Sequence, residues 1–253
     1  MASYAGVLRH ALRSDINLKP VLKTINNSRC RAWDLAHGVD TCGEIPLTTL
    51  DFESSNKTFG LEYQSHHPEI IRSALRALDV RHQDYTFVDV GCGKGRVLLV
   101  ALEFPFRKVI GLEFAPSLAE TARQNLLRYR GRRRCNDVEV ITGDATEYEF
   151  GSEAQVLYFY SPFSPRVLNG VVRRVEESFQ RSPREMLVVF SGVLSMRDRG
   201  FGSSPDYVRL VRSAHMDIFR HRPLAAHRPE SRTTIGYNHV SFAKLSPPAL
   251  TAI

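Results

Sequence analysis

The chain has 253 residues, 43% of them hydrophobic and 24% charged, a balance that excludes a disordered chain, a collagen-like repeat and a disulfide-stapled miniprotein. Its 34 Lys and Arg residues against 27 Asp and Glu leave a formal charge of +7, compatible with an acidic partner such as RNA, a phosphorylated metabolite or an anionic surface, and requiring none of them. Cys30, Cys42, Cys92 and Cys135 form neither a CxxC pair nor a Cys/His cluster, so no metal site or disulfide framework is expected. No uncharged apolar run approaches the ~20 residues of a membrane span, and a soluble cytoplasmic protein with no membrane partner is the expectation.

Residues 1–60 read as an N-terminal cap. A helix-like pattern reaches about Ile25 and becomes irregular through Asn26, Asn27 and Ser28. The turn-rich stretch from Gly38 to Pro46 follows, with no clean period of either kind. From Leu61 the pattern changes. His67-Pro68-Glu69 opens a helix carrying Ile70, Ile71, Leu75 and Leu78, with proline in its first turn. Thr86–Val90 reads as a strand, Val97 to Leu102 as a helix and Lys108–Leu112 as a second strand. A helix starts near Pro116 and carries Leu118, Ala122 and Leu126. Val138–Ile141, Val156–Tyr160 and Met186–Phe190 read as further strands, the last two separated by a helix with Leu168, Val171, Val172 and Val175 at helical spacing. Met216–Phe219 and Thr234–Phe242 complete the pattern, the latter alternating like an edge hairpin strand. Strand–helix alternation with near-continuous apolar strands argues one α/β domain over residues 61–253, a parallel doubly wound sheet with helices on both faces.

The sharpest local signal is Val88-Asp89-Val90-Gly91-Cys92-Gly93-Lys94-Gly95-Arg96, placed between a strand and a helix, where a glycine cluster means ligand binding. Glycines let the backbone turn tightly and approach a ligand closely. A dinucleotide fingerprint, GxGxxG, would need glycine where Arg96 stands. Asp89 brings a negative charge close to the loop, which suits a cation better than a diphosphate.

This Asp-x-Gly-x-Gly-x-Gly pattern resembles motif I of the class I S-adenosylmethionine-dependent methyltransferases, and the likeness covers roughly Leu61 to Leu245. The resemblance implies a Rossmann-like seven-stranded sheet, S-adenosylmethionine as cofactor and S-adenosylhomocysteine as product. It assigns Asp89, Gly91, Cys92, Gly93 and Gly95 to the cofactor loop and Glu113 to the two ribose hydroxyls. Gly143-Asp144-Ala145 falls at the adenine edge, with the Asp144 acid toward the exocyclic amine. A closer likeness is to a group of bacterial methyltransferases with a Gly-Cys-Gly-Lys-Gly-Arg-Val loop and a Gly-Val-Asp-Thr segment, present here as Gly38-Val39-Asp40-Thr41. That likeness places Tyr63 and Gln64 at the methionine end.

Tyr158-Phe159-Tyr160-Ser161-Pro162-Phe163 falls at the methyl-transfer end, making Ser161, Pro162 and Phe163 the candidate catalytic residues, with Phe163 as a substrate wall. Ser161 stands where amino-methylating relatives carry Asn or Asp; serine reaches less far, so the target atom stays open between nitrogen, oxygen and carbon. His66 and His67 read as surface residues at a helix start. The Arg128–Arg134 cluster reads as a solvated helix end, though a tyrosine among arginines also fits RNA. The acceptor stays open between a small molecule, a protein amine and a nucleic acid. Rival readings are a non-catalytic cofactor-fold binding protein and an NAD(P)-dependent oxidoreductase, the latter disfavoured by Arg96.

Overall fold

The computed structural model describes residues 19–45, 63–160, 163–192 and 197–222, all within the first of two compact units, Met1–Pro223. Helix α1 (Lys19–His37) is continuous, which corrects the irregular stretch expected at Asn26–Ser28. Asn and Ser are weak helix formers, but tertiary contacts hold the C-terminal half. The Trp33 ring stacks on His37 at 4.2 Å, and His37 stacks on Tyr129 at 5.6 Å. A short antiparallel ladder then joins β1 (Glu44–Ile45) to β2 (Tyr63–Gln64).

Helix α2 (Pro68–Arg76) starts as its sequence dictates: Pro68 occupies the first turn, and the His67 side chain accepts from the Glu69 N–H. Its buried stripe is Ile71, Ala74 and Leu75. Strand β3 (Thr86–Val90) is buried throughout. It leads through the glycine loop into α3 (Arg96–Ala101), then β4 (Lys108–Glu113), α4 (Pro116–Arg128) and β5 (Val138–Thr142). The chain then crosses back to β6 (Gln155–Tyr160), α5 (Pro165–Arg181) and β7 (Met186–Ser191). A hairpin of β8 (Tyr207–Arg212) and β9 (Met216–His221) follows.

These strands form one seven-stranded sheet, order β5-β4-β3-β6-β7-β9-β8. The five strands β3 to β7 are parallel and β9 joins β7 antiparallel, giving the Rossmann-like methyltransferase sheet with helices on both faces. Alternate strand residues face opposite ways. Phe87, Val156 and Tyr158 pack with Leu75, Leu98 and Leu99 of α2 and α3 on one face. Val88, Leu157 and Phe159 pack with Leu168, Val171 and Val175 of α5 on the other. The strand order reverses between β3 and β6, the switch point at which such sheets open a crevice beyond their carboxyl ends.

Thr234–Phe242 lies outside the described residues; among those described, the strand expected at Met216–Phe219 is β9, paired with a further strand, β8. Apolar Val208 and Leu210 face outward, 40% and 48% exposed, which blurs the alternation that marks β8 as a strand. A fully buried ion pair ties the segment before β8 to β9: Arg197 Nη1 reaches Asp217 Oδ1 at 3.0 Å, with both side chains at 0% exposure. Arg197 also donates to the Ser213 and Ala214 carbonyl oxygens.

The arginine cluster is likewise more structural than expected. Tyr129 is buried, with Arg133 over its ring at 5.8 Å, and the Arg130 N–H donates to the His37 carbonyl, so that tyrosine anchors α1 rather than offering a free stacking face. Among the described residues no helix is long and apolar enough to cross a membrane.

Replacing Arg197 with methionine leaves Asp217 buried without its main counter-charge, with Arg209 Nε at 3.4 Å. The variant is expected to lose about 3–5 kcal/mol of unfolding free energy, read as a lower denaturation midpoint in urea.

Candidate functional site

The glycine loop hangs from the adjacent strand. Gly91 and Cys92 N–H groups both donate to the Leu112 carbonyl at 2.9 and 2.8 Å, and Gly95 N–H closes the turn on Cys92 O at 2.8 Å. Gly93 has φ +53° and Gly95 φ +85°, left-handed values that disfavour any branched residue. A Cβ on Gly95 would also sit 3.1 Å from Ala122 Cβ, so this glycine lets α3 and α4 approach. The Cys92 side chain turns away from the loop mouth into the core, where it would lie 2.8 Å from a Cβ on Gly111. Cys92 therefore brings only its backbone to the loop, and burial pushes its thiol pKa up.

Two carboxyl groups lie beneath this loop. Glu113, ending β4, is 3% exposed. Its Oε2 accepts from Gly93 N–H at 2.8 Å and its Oε1 from Ala115 N–H at 2.9 Å. Burial nevertheless pushes it up to about 7, against the opposing effect of those bonds. Asp89 is also buried, and its Oδ2 has no hydrogen-bond partner among the described residues. Burial first, then the charge of Glu113, holds it well above the usual carboxylate range.

The third acid, Asp144, follows β5 and is half-buried; its Oδ1 accepts from the Thr146 N–H and hydroxyl at 2.8 and 2.7 Å. A cleft of about 370 Å³ runs over Gly91, Leu112 and Phe114 to Gly143, Asp144 and Ala145. Phe163 and Val167 close it. Ser161 and Pro162 lie outside the described residues. Tyr63 and Gln64 form β2, and their side chains lie outside the description as well.

An unpartnered buried carboxylate oxygen beside a second buried acid is a poor host for a diphosphate and a good one for a cation. The residues present thus fit a nucleoside that carries positive charge.

A polar network around Arg96 joins the N-terminal segment to the loop. Arg96 is 3% exposed. Its Nη2 meets Asp34 Oδ1 at 2.8 Å, its Nε donates to Thr41 Oγ1 at 2.6 Å, and its guanidinium lies 5.0 Å over the Trp33 ring. Asp34 also accepts from the Thr41 and Cys42 N–H groups, each at 2.7 Å. Lys94 Nζ pairs with Asp40 at 3.1 Å, and the Asn125 side-chain amide bridges the Asp40 and Lys94 carbonyls at 2.8 and 2.9 Å. The Gly-Val-Asp-Thr segment is therefore clamped on the Lys94-Gly95-Arg96 half of the loop. The joint presence of the two motifs in the likeness was the one sequence signal for this pairing.

His66 is buried, correcting the surface position expected of it. Its ring lies on Tyr160 with centroids 3.9 Å apart and planes 6° apart. Ser191 donates its hydroxyl proton to His215 O at 2.9 Å, so Ser191 Oγ accepts from His66 Nε2 at 2.9 Å, while Nδ1 accepts from the His67 N–H at 3.0 Å. Burial pushes His66 down to about 3; it is a neutral ring with both nitrogens engaged.

A family model for a methyltransferase domain matches residues 87–177, the span from β3 through most of α5. Solved structures of similar shape include an RNA methyltransferase from Salinibacter ruber in complex with S-adenosyl-L-homocysteine, 22% identical over 65% of this chain and 97% of that one, TM-score 0.46. Others are the 23S rRNA methyltransferase ErmE, 17% identical over 63% and 69%, TM-score 0.42, and a possible methylase from Clostridium difficile 630, 13% identical over 64% and 54%, TM-score 0.45. No curated protein matches the chain in sequence. Residues 87–177 thus carry a methyltransferase domain built on the Rossmann-like sheet.

Two outcomes follow from this geometry. Because Asp89 and Glu113 hold protons in the folded state that the unfolded chain releases, stability of the unliganded protein is expected to fall as pH rises from about 5 to 8. Affinity for S-adenosylmethionine should rise over the same window, since a cation favours the ionised carboxylates, and calorimetric titration of Glu113→Gln should show a flatter pH profile. Asp34→Ala strands the buried Arg96 guanidinium and should cost about 3–5 kcal/mol, read in thermal and urea melts, together with weaker cofactor binding.

Proposed function

We propose that Asp89, Glu113 and Asp144 hold S-adenosylmethionine across the carboxyl ends of β3, β4 and β5, and that methyl transfer takes place where the segment Ser161-Pro162-Phe163 leaves β6. The observation that carries this reading is the buried Asp89 Oδ2, which has no hydrogen-bond partner among the described residues, next to Glu113, a site that a cationic, hydrogen-bond-donating ligand completes. The cofactor supplies a methyl group already activated on a sulfonium, so orientation and exclusion of water are the chain's main tasks.

Glu113 has two acceptor oxygens at the end of β4, the number that two adjacent ribose hydroxyls require, and its bonds to Gly93 of the loop and to Ala115 before α4 fix the carboxyl group in place. Gly143, Ala145, Phe163 and Val167 offer the adenine a flat apolar slot, with the Asp144 carboxyl at its edge. His66 is not a base in this arrangement, since both of its ring nitrogens are engaged; it fixes the face of Tyr160 beside the transfer point. A neutral amine would need no base, whereas a hydroxyl would need one from outside this set. We further propose a cytoplasmic setting, which four free cysteines favour. Small molecule, protein amine and nucleic acid all stand as acceptor classes.

Calorimetric titration of the purified chain is expected to show binding of S-adenosylmethionine and none of NAD(P). Incubation with cell extract and labelled methyl donor should yield S-adenosylhomocysteine and one labelled product. Gly93→Val, forced into a left-handed backbone, should abolish cofactor binding. Glu113→Ala should weaken it about 10- to 100-fold, as the loss of hydrogen bonds to a charged group implies. Wild-type affinity in both variants would place the pocket elsewhere.

A further inference from the structure

A second, larger cleft of about 1510 Å³ opens beside the cofactor cleft. Its inner edge is formed by Tyr160 and Ser191, register partners at the carboxyl ends of β6 and β7. Tyr160 follows Phe159, which pairs with Val90 at the end of β3, so this edge lies one strand spacing, roughly 5 Å, from the glycine loop. The opposite wall comes from the N-terminal segment, through Asn27, Arg29 and Cys30 of α1, and the floor includes the start of α2.

The two clefts differ in lining. The first is mostly apolar, with Asp144 as its one lining carboxylate and Asp89 and Glu113 buried beneath the loop. In the second, the lining carries Arg29, Arg96, His66, His67 and His215 against a single carboxylate, Glu44. Arg96 is already matched by Asp34, and His66 is neutral. Arg29 and His215 are exposed, and neither side chain makes an ion pair among the described residues. Burial first lowers protonation of both His66 and His67; the charge of Arg29 on His67, and those of His67, Arg96 and His215 on His66, add to it, with Glu69 opposing at His67. The first turn of α2, with Pro68 at its start, adds the positive end of a helix.

We propose that this second cleft seats the acceptor by a phosphate group, held by Arg29 and His215, with the atom to be methylated lying over the His66–Tyr160 stack. This rests on the methyltransferase reading and adds the acceptor's chemical class to it. The mostly apolar first cleft and the basic lining of the second give a nucleoside and an anionic group separate places to sit. This arrangement also gives the N-terminal segment a task, since Arg29 reaches the cleft only while α1 is latched through Asp34 and Arg96.

The test uses the full chain saturated with S-adenosylhomocysteine, at constant ionic strength, titrated separately with inorganic phosphate, cytidine monophosphate and a short single-stranded RNA. Saturable binding of phosphate or cytidine monophosphate is expected, weakened at least tenfold in the Arg29→Ala/His215→Ala double variant, while S-adenosylhomocysteine affinity stays at the wild-type value. RNA binding much tighter than the mononucleotide, and equally sensitive to the double variant, would assign the phosphate to a nucleic acid; equal affinities would assign it to a phosphorylated small molecule. The proposal is overturned if none of the three anions binds the saturated wild type, or if the double variant binds them as well as the wild type does. Failure of the wild type to bind S-adenosylhomocysteine at all would instead overturn the underlying function.

Discussion

Glu113 closes β4 with its carboxyl group sunk beside that of Asp89, and the glycine loop is tied to that carboxyl through the Gly93 N–H. Two acids in one buried place repel each other when ionised and lose hydration in either case. Such an arrangement is stable in the empty protein only through retained protons and backbone donors. It becomes favourable in the ionised form when a cation enters. The parallel strands bring the two acids together, because Asp89 and Glu113 lie at the same end of neighbours β3 and β4. The sheet order thus creates the electrostatic constraint, and the ligand has to answer it.

The N-terminal segment completes the loop from its other side. Arg96, at the first turn of α3, carries a buried guanidinium that Asp34 and Thr41 satisfy, and Asn125 of α4 binds the same segment through Asp40. Removing any one member would leave a charge or an amide buried without its partner, a larger penalty than the pair contributes when intact. The same α1 helix that docks here reaches outward to wall the basic cleft. One latch therefore links the glycine loop to the wall of the second cleft.

Much of this was legible along the chain. The central strands read as apolar runs, the glycine loop stood in a strand–turn–helix context, and Glu113 and Asp144 followed successive strands. Each of these depends on neighbours a few residues away, so local spacing reports it directly. The misread elements share a different cause. Asn26–Ser28 looked like a break because intrinsic propensity was the only information available, and packing of Trp33 and His37 on Tyr129 outweighed it. β8 was hidden by the outward-facing Val208 and Leu210, and His66 looked like an exposed residue at a helix start.

The amino-acid order by itself determined the alternation of strands and helices, the glycine loop and the acids that follow successive strands, since all of these are written in short-range pattern. Only the tertiary structure decided that Asp34 belongs to Arg96, that His66 lies on Tyr160, and that Arg29 and His215 line the same cleft. Those groups are brought together by sheet order and helix docking across tens of residues, distances over which sequence spacing carries no geometric information.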